Sequence, residues 1–173
     1  ETLRIGLREL FENITVIEVG HELTNLAEVC LEHAFAEARA EAVKRFGTVD
    51  ADACILGLGK MGGREMGYGS DLDLIFVYDG DAGAPDGIDA AEFFTAVASR
   101  TIKTLSARTR YGVLYEIDAR LRPHGGKGAL AVSAATLEEY YRHEAQPWER
   151  LALVKVRPVA GSQAFGESVA ARA

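Results

Sequence analysis

The sequence has few of the features that mark membrane, secreted or metal-thiolate proteins. It holds no apolar run long enough to span a bilayer, and no basic-then-apolar leader opens it. Its two cysteines, Cys30 and Cys54, lie in separate apolar stretches and form neither a disulfide framework nor a metal motif. The four histidines show no ligand spacing. These absences predict a cytoplasmic protein with reduced, buried thiols and no membrane partner.

An excess of positive charge is also missing. The 173 residues carry 19 Lys and Arg against 26 Asp and Glu, which gives a net charge of −7. A dedicated DNA or RNA binder normally presents a basic surface, so we expect no nucleic-acid partner. A few local cations could still bind one nucleotide. The chain begins within a helical pattern and ends without a stop signal, so we expect it to be a piece of a larger protein.

Helical periodicity dominates the first 48 residues. Apolar residues recur at helical spacing over residues 3–14, which predicts a short amphipathic helix. A longer pattern has its apolar face over residues 23–38 and closes at Gly47, after two basic residues. Further helices are predicted from N-terminal signals at Asp89, Ser133 and Pro147. Residues 79–87 are predicted to form a loop.

Two short apolar runs, ACILGLG and LDLIFVYD, predict strands on either side of a glycine-rich segment. The pattern G-x-G-x-x-G from Gly57 to Gly62 is typical of a dinucleotide-binding turn. Such a turn needs a crossover helix, but the ten residues between Met61 and Leu72 include four glycines and cannot hold one. We therefore predict that the two strands are antiparallel neighbours, or are joined by one short helical turn.

Two aspartates at the start of the second run, Asp71 and Asp73, carry the strongest chemical signal. Side chains alternate along a strand, so both carboxylates point the same way while Leu72 and Leu74 face the core. Two carboxylates so close repel each other, which favours a cation beside them. Hard oxygen ligands suit Mg²⁺. Taken alone, the D-x-D pattern also fits two solvated surface carboxylates.

A third strand is predicted over residues 113–121, VLYEIDARL, with one polar face. That face holds Glu116, Asp118, Arg120 and Arg122. If the strand lies beside the second run, Asp118 joins the two aspartates there. The arginines then supply positive charge for phosphate, as nucleotidyl transfer requires. A salt bridge between Asp118 and Arg120 is the structural alternative.

The candidate nucleotide contacts lie in the glycine-rich segment and on the third strand. Glycines and a serine let the backbone approach a triphosphate closely, and cations neutralise it. The candidates are Gly62, Gly63, Ser70, Lys60, Arg120 and Arg122. Lys155 and Arg157 are weaker candidates, because no pattern places them near the site. Tyr140, Tyr141 and Trp148 lie on helical stretches and are predicted to be core residues.

These motifs together resemble a known family. The G-G pair, the D-x-D and the Asp on a later strand are similar to the nucleotidyltransferase superfamily that includes DNA polymerase beta. Three longer stretches resemble the catalytic domains of glutamine synthetase adenylyltransferase: GLGKMGGREMGYGSDLDLIFVYD, YEIDARLRPHGGKGAL and EEYYRHEAQPWERLALVKVRPVAG. The resemblance runs from about Leu3 to the end of the chain.

The resemblance implies an α+β fold with a small mixed or antiparallel sheet, packed helices and helical extensions at both ends. We expect a helical extension over residues 1–48 and a nucleotidyltransferase core over residues 49–130. Residues 131–173 are expected to form a helical segment that continues into a truncated helical domain.

The resemblance also implies the chemistry. Asp71, Asp73 and Asp118 would be catalytic and would hold two Mg²⁺ ions, with ATP as substrate and Asp118 nearest the attacking hydroxyl. The family carries two homologous domains: one transfers AMP to a tyrosine of glutamine synthetase, and the other removes it by phosphorolysis as ADP. The stretch HEAQPWERLAL favours the adenylylating domain. A non-catalytic nucleotide-sensing module is the alternative from another class. Glutamine synthetase and a nitrogen-signalling PII-type regulator of the full-length chain are the expected partners.

Overall fold

The computed structural model describes residues 1–80 and 89–173. Its helices are α1 (Thr2–Glu12), α2 (Val16–Phe46), α3 (Gly59–Gly62), α4 (Ala90–Leu105), α5 (Ala134–His143), α6 (Pro147–Ala152) and α7 (Gln163–Ala170). Its strands are β1 (Ala53–Gly57), β2 (Leu72–Tyr78), β3 (Ile117–Asp118), β4 (Ala131–Ser133) and β5 (Arg157–Gly161). Short 3₁₀ turns lie at Gly125–Lys127 and Leu153–Lys155. The predicted α+β class is confirmed.

The strands form one mixed sheet in the order β3-β2-β1-β5, and β4 also pairs with β2. β1 is antiparallel to β2 and to β5, whereas β3 and β4 run parallel to β2. β2 therefore has β3 beside its first residues and β4 beside its last. The predicted antiparallel pairing of the first two strands is confirmed, and so is the single helical turn, α3, between them.

β2 is buried on both faces of the sheet. Leu74 and Phe76 belong to a hydrophobic cluster that includes residues of α2 and α4. Ile75 and Val77 belong to a second cluster, with Leu137 of α5 and residues of α7. A strand covered on both faces is an almost continuous apolar run. Burial on both faces explains the apolar composition of LDLIFVY. It also fixes the position of the strand that carries Asp73 and directly follows Asp71.

Local signals set the ends of the long helices. α2 begins with a capping box in which the Thr15 hydroxyl accepts from the Glu18 backbone N–H and the Glu18 carboxylate accepts from that of Thr15. It ends at Gly47, as predicted. α4 begins at its predicted cap, Asp89, whose carboxylate accepts from the Ala91 backbone N–H. The loop predicted for residues 79–87 lies largely outside the described residues.

The apolar face predicted for the first helix does not form its packing surface. Leu3, Leu7, Leu10 and Phe11 are exposed, while Ile5 is buried in the core cluster shared with α2. The helix itself is present, so the periodicity correctly indicated the element. It did not identify the side of α1 that packs against the rest of the described chain.

The strand predicted over residues 113–121 is much shorter in the structure. Only Ile117–Asp118 pairs with β2. The chain turns immediately afterwards, because the Asp118 carboxylate accepts a hydrogen bond from the backbone N–H of Arg120. α4 ends at Leu105, well before this strand.

The segment expected to be helical beyond residue 130 also contains strands. β4 pairs with β2 and β5 pairs with β1, so the sheet includes chain from both sides of that position. Both strands are short, and β5 contains a proline and a glycine, which weaken the sequence signal for a strand. The helices predicted at Ser133 and Pro147 are confirmed. Over the described residues, none of the helices has the length and hydropathy needed to cross a membrane.

Candidate metal and nucleotide site

The first residues of β2 and β3 bring three aspartates together. Asp73 on β2 lies in register with Asp118 on the parallel neighbour β3, and Asp71 comes just before β2. One carboxylate oxygen from each residue lies within 4.8 Å of those from the other two. Asp71 is exposed, and the other two are partly buried. The prediction that Asp118 would join the D-x-D pair is therefore confirmed, while its role as a ligand stays a prediction.

The electrostatics of this cluster favour a cation. Burial raises the pKa of Asp73 above its usual value of 3.8, and the neighbouring charges of Asp71 and Asp118 raise it further. The hydrogen bonds from Arg120 lower the pKa of Asp118, despite its partial burial. Three hard oxygen donors, close enough to share one ion and accessible from solvent at Asp71, fit Mg²⁺.

Arg120 forms the main contact to the triad from outside it. Its Nε donates to both carboxylate oxygens of Asp118 at 2.9 and 3.0 Å, and its Nη2 donates to Oδ2 at 2.5 Å. The Arg120 side chain is 79% exposed. The salt bridge considered as an alternative is thus present together with the carboxylate cluster, and the guanidinium lies where it could meet an incoming phosphate.

Arg122 does not lie on the face of Asp118, where it was predicted to contact phosphate. Its guanidinium is buried and donates to the carbonyl oxygens of Ala119 and Gly128, which fixes the loop after β3. Because β3 ends at Asp118, the alternation expected to place Arg122 on the face of Asp118 does not continue. A phosphate contact by Arg122 stays a prediction that these hydrogen bonds do not support.

The glycine turn, residues 59–63, lies against Asp73. Gly59 adopts a φ of 51°, and a Cβ at this position would lie 2.5 Å from Oδ2 of Asp73. The backbone N–H of Leu58 donates to the Asp73 carbonyl oxygen at 3.0 Å. Gly59 therefore lets the turn approach the triad, a role that the rejected dinucleotide pattern did not predict. A glycine directly before the candidate Lys60 was the available signal.

The predicted glycines at positions 62 and 63 have an internal packing role. A Cβ at Gly62 would overlap the Lys155 carbonyl oxygen and lie 2.8 Å from the Gly57 oxygen. A Cβ at Gly63 would lie 2.8 Å from Cδ of Lys155. Ser70 orders its own loop by accepting from the Gly67 backbone N–H at 3.0 Å. These internal contacts are enough to explain why small residues occupy the three positions. A role of Gly62, Gly63 and Ser70 in binding nucleotide stays a prediction.

Two residues that no sequence pattern placed near the site lie beside the glycine turn. Arg157 donates to the carbonyl oxygens of Gly62 and Met61, both at 2.9 Å, and to the Glu28 carboxylate at 2.5 Å. It therefore links β5, α2 and α3. Lys155 forms an ion pair with Glu65. The structure brings both cations to the turn, with Arg157 as a positioning group.

Two cavities lie near the end of the sheet at which β2 begins. The one that we call the lysine cavity has a volume of about 430 Å³ and is lined by Gly59, Lys60, Glu65, Leu151, Ala152, Val154 and Lys155. The one that we call the apolar cavity has a volume of about 370 Å³ and is formed by the start of α1, by α2 and by the segments 66–70 and 113–116. The lysine cavity adjoins Asp73 through Gly59, whereas the apolar cavity lies on the face of the sheet that α2 covers.

The aromatic residues near the C-terminal end are mostly structural. Tyr140 donates to the buried Glu149 carboxylate at 2.7 Å, and Tyr141 donates to the Leu121 carbonyl oxygen at 2.8 Å. Both tyrosines are buried, as predicted. Trp148 is exposed, so its prediction as a core residue is wrong.

A family profile and the similar proteins of known name point to the same family. The sequence profile of the family Glutamate-ammonia ligase adenylyltransferase matches residues 1–172. Proteins called bifunctional glutamine synthetase adenylyltransferase/adenylyl-removing enzyme are similar to this chain: 42% identical in Pseudomonas putida, 43% in Methylococcus capsulatus and 38% in Brucella suis. These matches cover 95%, 95% and 93% of this chain. The chain spans 18%, 19% and 17% of the length of those relatives.

Proposed function

The chain belongs to the glutamate-ammonia ligase adenylyltransferase family, and from that premise we propose that it is a nucleotidyltransferase domain that transfers AMP from ATP to a tyrosine of glutamine synthetase. The observation that carries the proposal is the meeting of Asp71, Asp73 and Asp118 within 4.8 Å. Such a cluster is what a metal-assisted nucleotidyl transfer requires.

The three aspartates would hold Mg²⁺, with two ions expected. When bound, the metal supplies charge that stabilises the attacking and leaving oxygens. β2 and β3 hold the carboxylates of Asp73 and Asp118 in register. Arg120 orients Asp118 through both of its oxygens. Positioning and charge neutralisation supply most of the catalysis in phosphoryl transfer, so these fixed carboxylates are the central contribution of the chain.

The triphosphate of ATP fits the lysine cavity. Lys60 follows Gly59, whose missing side chain lets the turn approach Asp73. Lys155 lines the same cavity, where it pairs with Glu65. The two ammonium groups of this cavity would neutralise phosphate oxygens, and the exposed guanidinium of Arg120 adds a third cation. We also propose that the backbone at Gly62, Gly63 and Ser70 contacts the nucleotide.

Phosphorolysis of adenylyl-tyrosine is the second candidate, because the names of the relatives include both an adenylyltransferase and an adenylyl-removing enzyme. The same carboxylates and metal would serve either direction, with phosphate as nucleophile in the removing reaction. Incubation with adenylylated glutamine synthetase and phosphate separates the two candidates, since only phosphorolysis releases ADP.

The test of the proposal is AMP transfer from labelled ATP to purified glutamine synthetase. We expect Asp71→Asn and Asp73→Asn to lower the rate by at least about a hundredfold, since even residues outside the metal shell change such sites by that much. Asp50→Asn, an exposed acid before β1, is the matched control. AMP transfer by both variants at the parent rate would refute the site. ATP binding without AMP transfer or ADP release would favour a nucleotide-sensing module.

The remaining expectations concern the longer protein. We propose that a PII-type regulator acts on it and that it works in the cytoplasm, in keeping with two free cysteines. The division into residues 1–48, 49–130 and 131–173 is likewise proposed, and limited proteolysis of the chain would test it.

A further inference from the structure

The backbone and the side chain of Lys155 lie directly against the glycine turn. A Cβ on Gly62 would overlap the carbonyl oxygen of Lys155, and a Cβ on Gly63 would lie 2.8 Å from Cδ of Lys155. A side chain at position 62 would therefore displace the backbone of Lys155, and one at position 63 would displace its stem. The glycine pair gives Lys155 the space to cross the turn.

The ammonium group at the far end of the same side chain is held by Glu65. Nζ of Lys155 donates to Oε1 of the Glu65 carboxylate. Both side chains are about half exposed, and both line the lysine cavity. The backbone N–H of Glu65 donates to the carbonyl oxygen of Lys60 at 3.0 Å, so the carboxylate extends from a fixed point of the turn. The Lys155 side chain is thus held by packing along its stem and by an ion pair at its end.

Arg157 ties the backbone of this segment to the turn independently of the ion pair. Its guanidinium donates to the carbonyl oxygens of Met61 and Gly62, both at 2.9 Å. The chain that carries Lys155 therefore stays on the turn when the ion pair is broken. A change at Glu65 is expected to act on the ammonium group of Lys155 and not on the fold.

The segment that carries Lys155 lies on the side of the sheet to which Asp73 points. Side chains alternate along β2, so Asp73 faces the same way as Ile75 and Val77. These two residues belong to the second hydrophobic cluster, which also contains Leu153 of the 3₁₀ turn Leu153–Lys155. The lysine cavity and the Asp73 carboxylate therefore share one face of the sheet.

The ion pair leaves most of the binding capacity of Lys155 unused. An ammonium group has three N–H donors, and Glu65 accepts from one of them. A lysine whose stem is already ordered loses less conformational freedom when it binds an anion than a freely rotating one does. The carboxylate opposes an incoming phosphate, but the charges of Lys60, Lys155 and Glu65 together still leave the cavity positive. Glu65 can therefore order the ammonium group without cancelling the attraction of the cavity for phosphate.

We propose that Glu65 is a positioning residue, an inference that rests on the proposed function. It holds the Lys155 ammonium group in the lysine cavity, where the two remaining N–H donors bind the outer phosphates of ATP. Gly62 and Gly63 make this arrangement possible, because they let the lysine cross the turn to reach Glu65. Glu65 itself does not contact the nucleotide, and its effect on binding passes through Lys155.

Calorimetry tests the proposal without catalysis. The ligand is an ATP analogue with a non-hydrolysable bridge between the α- and β-phosphates, together with Mg²⁺. Lys155→Met keeps the apolar stem and should raise the dissociation constant about tenfold, the effect of a lost charge-assisted hydrogen bond. Glu65→Ala should raise it about fivefold, since the freed lysine must be ordered on binding. Glu65→Gln should stay within about twofold of the parent, because its amide oxygen can still accept from Nζ.

A double variant shows whether Glu65 acts through Lys155. Glu65→Ala combined with Lys155→Met should bind the analogue as tightly as Lys155→Met alone, because the group that Glu65 positions is then missing. Glu12→Ala removes a carboxylate that pairs with Arg8 on α1, outside both cavities, and should leave the dissociation constant unchanged.

The outcomes separate this proposal from the proposed function. Tighter binding by Glu65→Ala would mean that Glu65 competes with phosphate for Lys155, and it would overturn the positioning role. A further loss of affinity from Glu65→Ala in the Lys155→Met chain would overturn it as well, since Glu65 would then act on the turn itself. A parent chain that binds the analogue but neither transfers nor removes AMP would overturn the proposed function, and the affinities would still decide the role of Glu65. A parent chain that does not bind the analogue would overturn both.

Discussion

Replacing Asp73 by Asn should stabilise the chain in the absence of divalent metal. One carboxylate oxygen of Asp73 lies within 4.8 Å of an oxygen of Asp71 and of one of Asp118. Burial raises the pKa of Asp73, and the two neighbouring negative charges raise it further. A pair at this separation repels by about 0.9 kcal/mol in bulk water and about 3.5 kcal/mol at an effective dielectric of 20. Solvent reaches the site, and the Arg120 charge offsets part of the repulsion. We therefore expect a gain of about 1 kcal/mol in the free energy of unfolding.

The size of this gain depends on pH. The folded-state pKa of Asp73 is raised, so its charged form lowers stability once the pH exceeds that pKa. As the pH falls through the raised pKa and then below 3.8, Asp73 becomes protonated in both folded and unfolded chains. Protonated Asp and Asn have similar shape and polarity. The difference between Asp73→Asn and the parent should therefore be present near neutral pH and disappear in acid.

Urea unfolding in EDTA measures the stability without metal, and urea unfolding in excess Mg²⁺ measures the gain from metal binding. A ligand at a hundredfold excess over its dissociation constant stabilises the folded state by about 2.7 kcal/mol, and the parent should show such a gain. Asp73→Asn should lose it. Asp50→Asn removes a charge elsewhere and controls for the net charge of −7. An Asp73→Asn chain that is less stable than the parent in EDTA, or that gains as much from Mg²⁺, would refute the reasoning.

Three further predictions concern packing around the turn and the core. Gly62→Ala should lower the free energy of unfolding by about 3 kcal/mol in urea unfolding, because its Cβ would overlap the Lys155 carbonyl oxygen. Arg157→Gln should lower it by about 2 kcal/mol and weaken Mg-ATP binding in calorimetry, since its hydrogen bonds hold the glycine turn. The Cys54 thiol, whose pKa burial raises to about 12, should react with iodoacetamide at mildly alkaline pH only after unfolding.

Each of these predictions has a matched comparison. Gly126→Ala, where an added Cβ meets nothing within 4 Å, should leave stability nearly unchanged, and an equal loss at Gly62 and Gly126 would contradict the packing argument. Arg108→Gln changes an exposed arginine outside the turn and should not alter Mg-ATP binding. Alkylation of Cys54 in the folded chain at the rate of a free thiol would show that it is not shielded.

The triad could be predicted because it depends on local rules. Alternation along a strand places Asp71 and Asp73 on one face, and the same rule applied to the next polar strand selects Asp118. The same rule failed for Arg122, because a hydrogen bond from the backbone of Arg120 to the Asp118 side chain turns the chain after two paired residues. The alternation rule cannot show where a strand ends.

The residues missed by the sequence analysis depend on contacts between distant segments. Arg157 and Glu28 are separated by 129 positions, and neither carries a local signal for the other. The role of Gly59 requires knowledge of how closely Asp73 approaches it. β5 contains Pro158 and Gly161, so its place in the sheet comes from pairing with β1 and not from its own propensity.

Because β2 is enclosed by neighbours on both edges and by hydrophobic clusters on both faces, the three carboxylates differ in stiffness. Asp73 belongs to this rigid strand and Asp118 is held by Arg120, whereas Asp71 lies in the exposed stretch before β2. A cation at the proposed site would therefore meet two oxygen donors that are held in place and one that can adjust to its radius. Selection between ions of different size would then depend on residues 66–71, where changes in sequence would alter the site without disturbing the sheet.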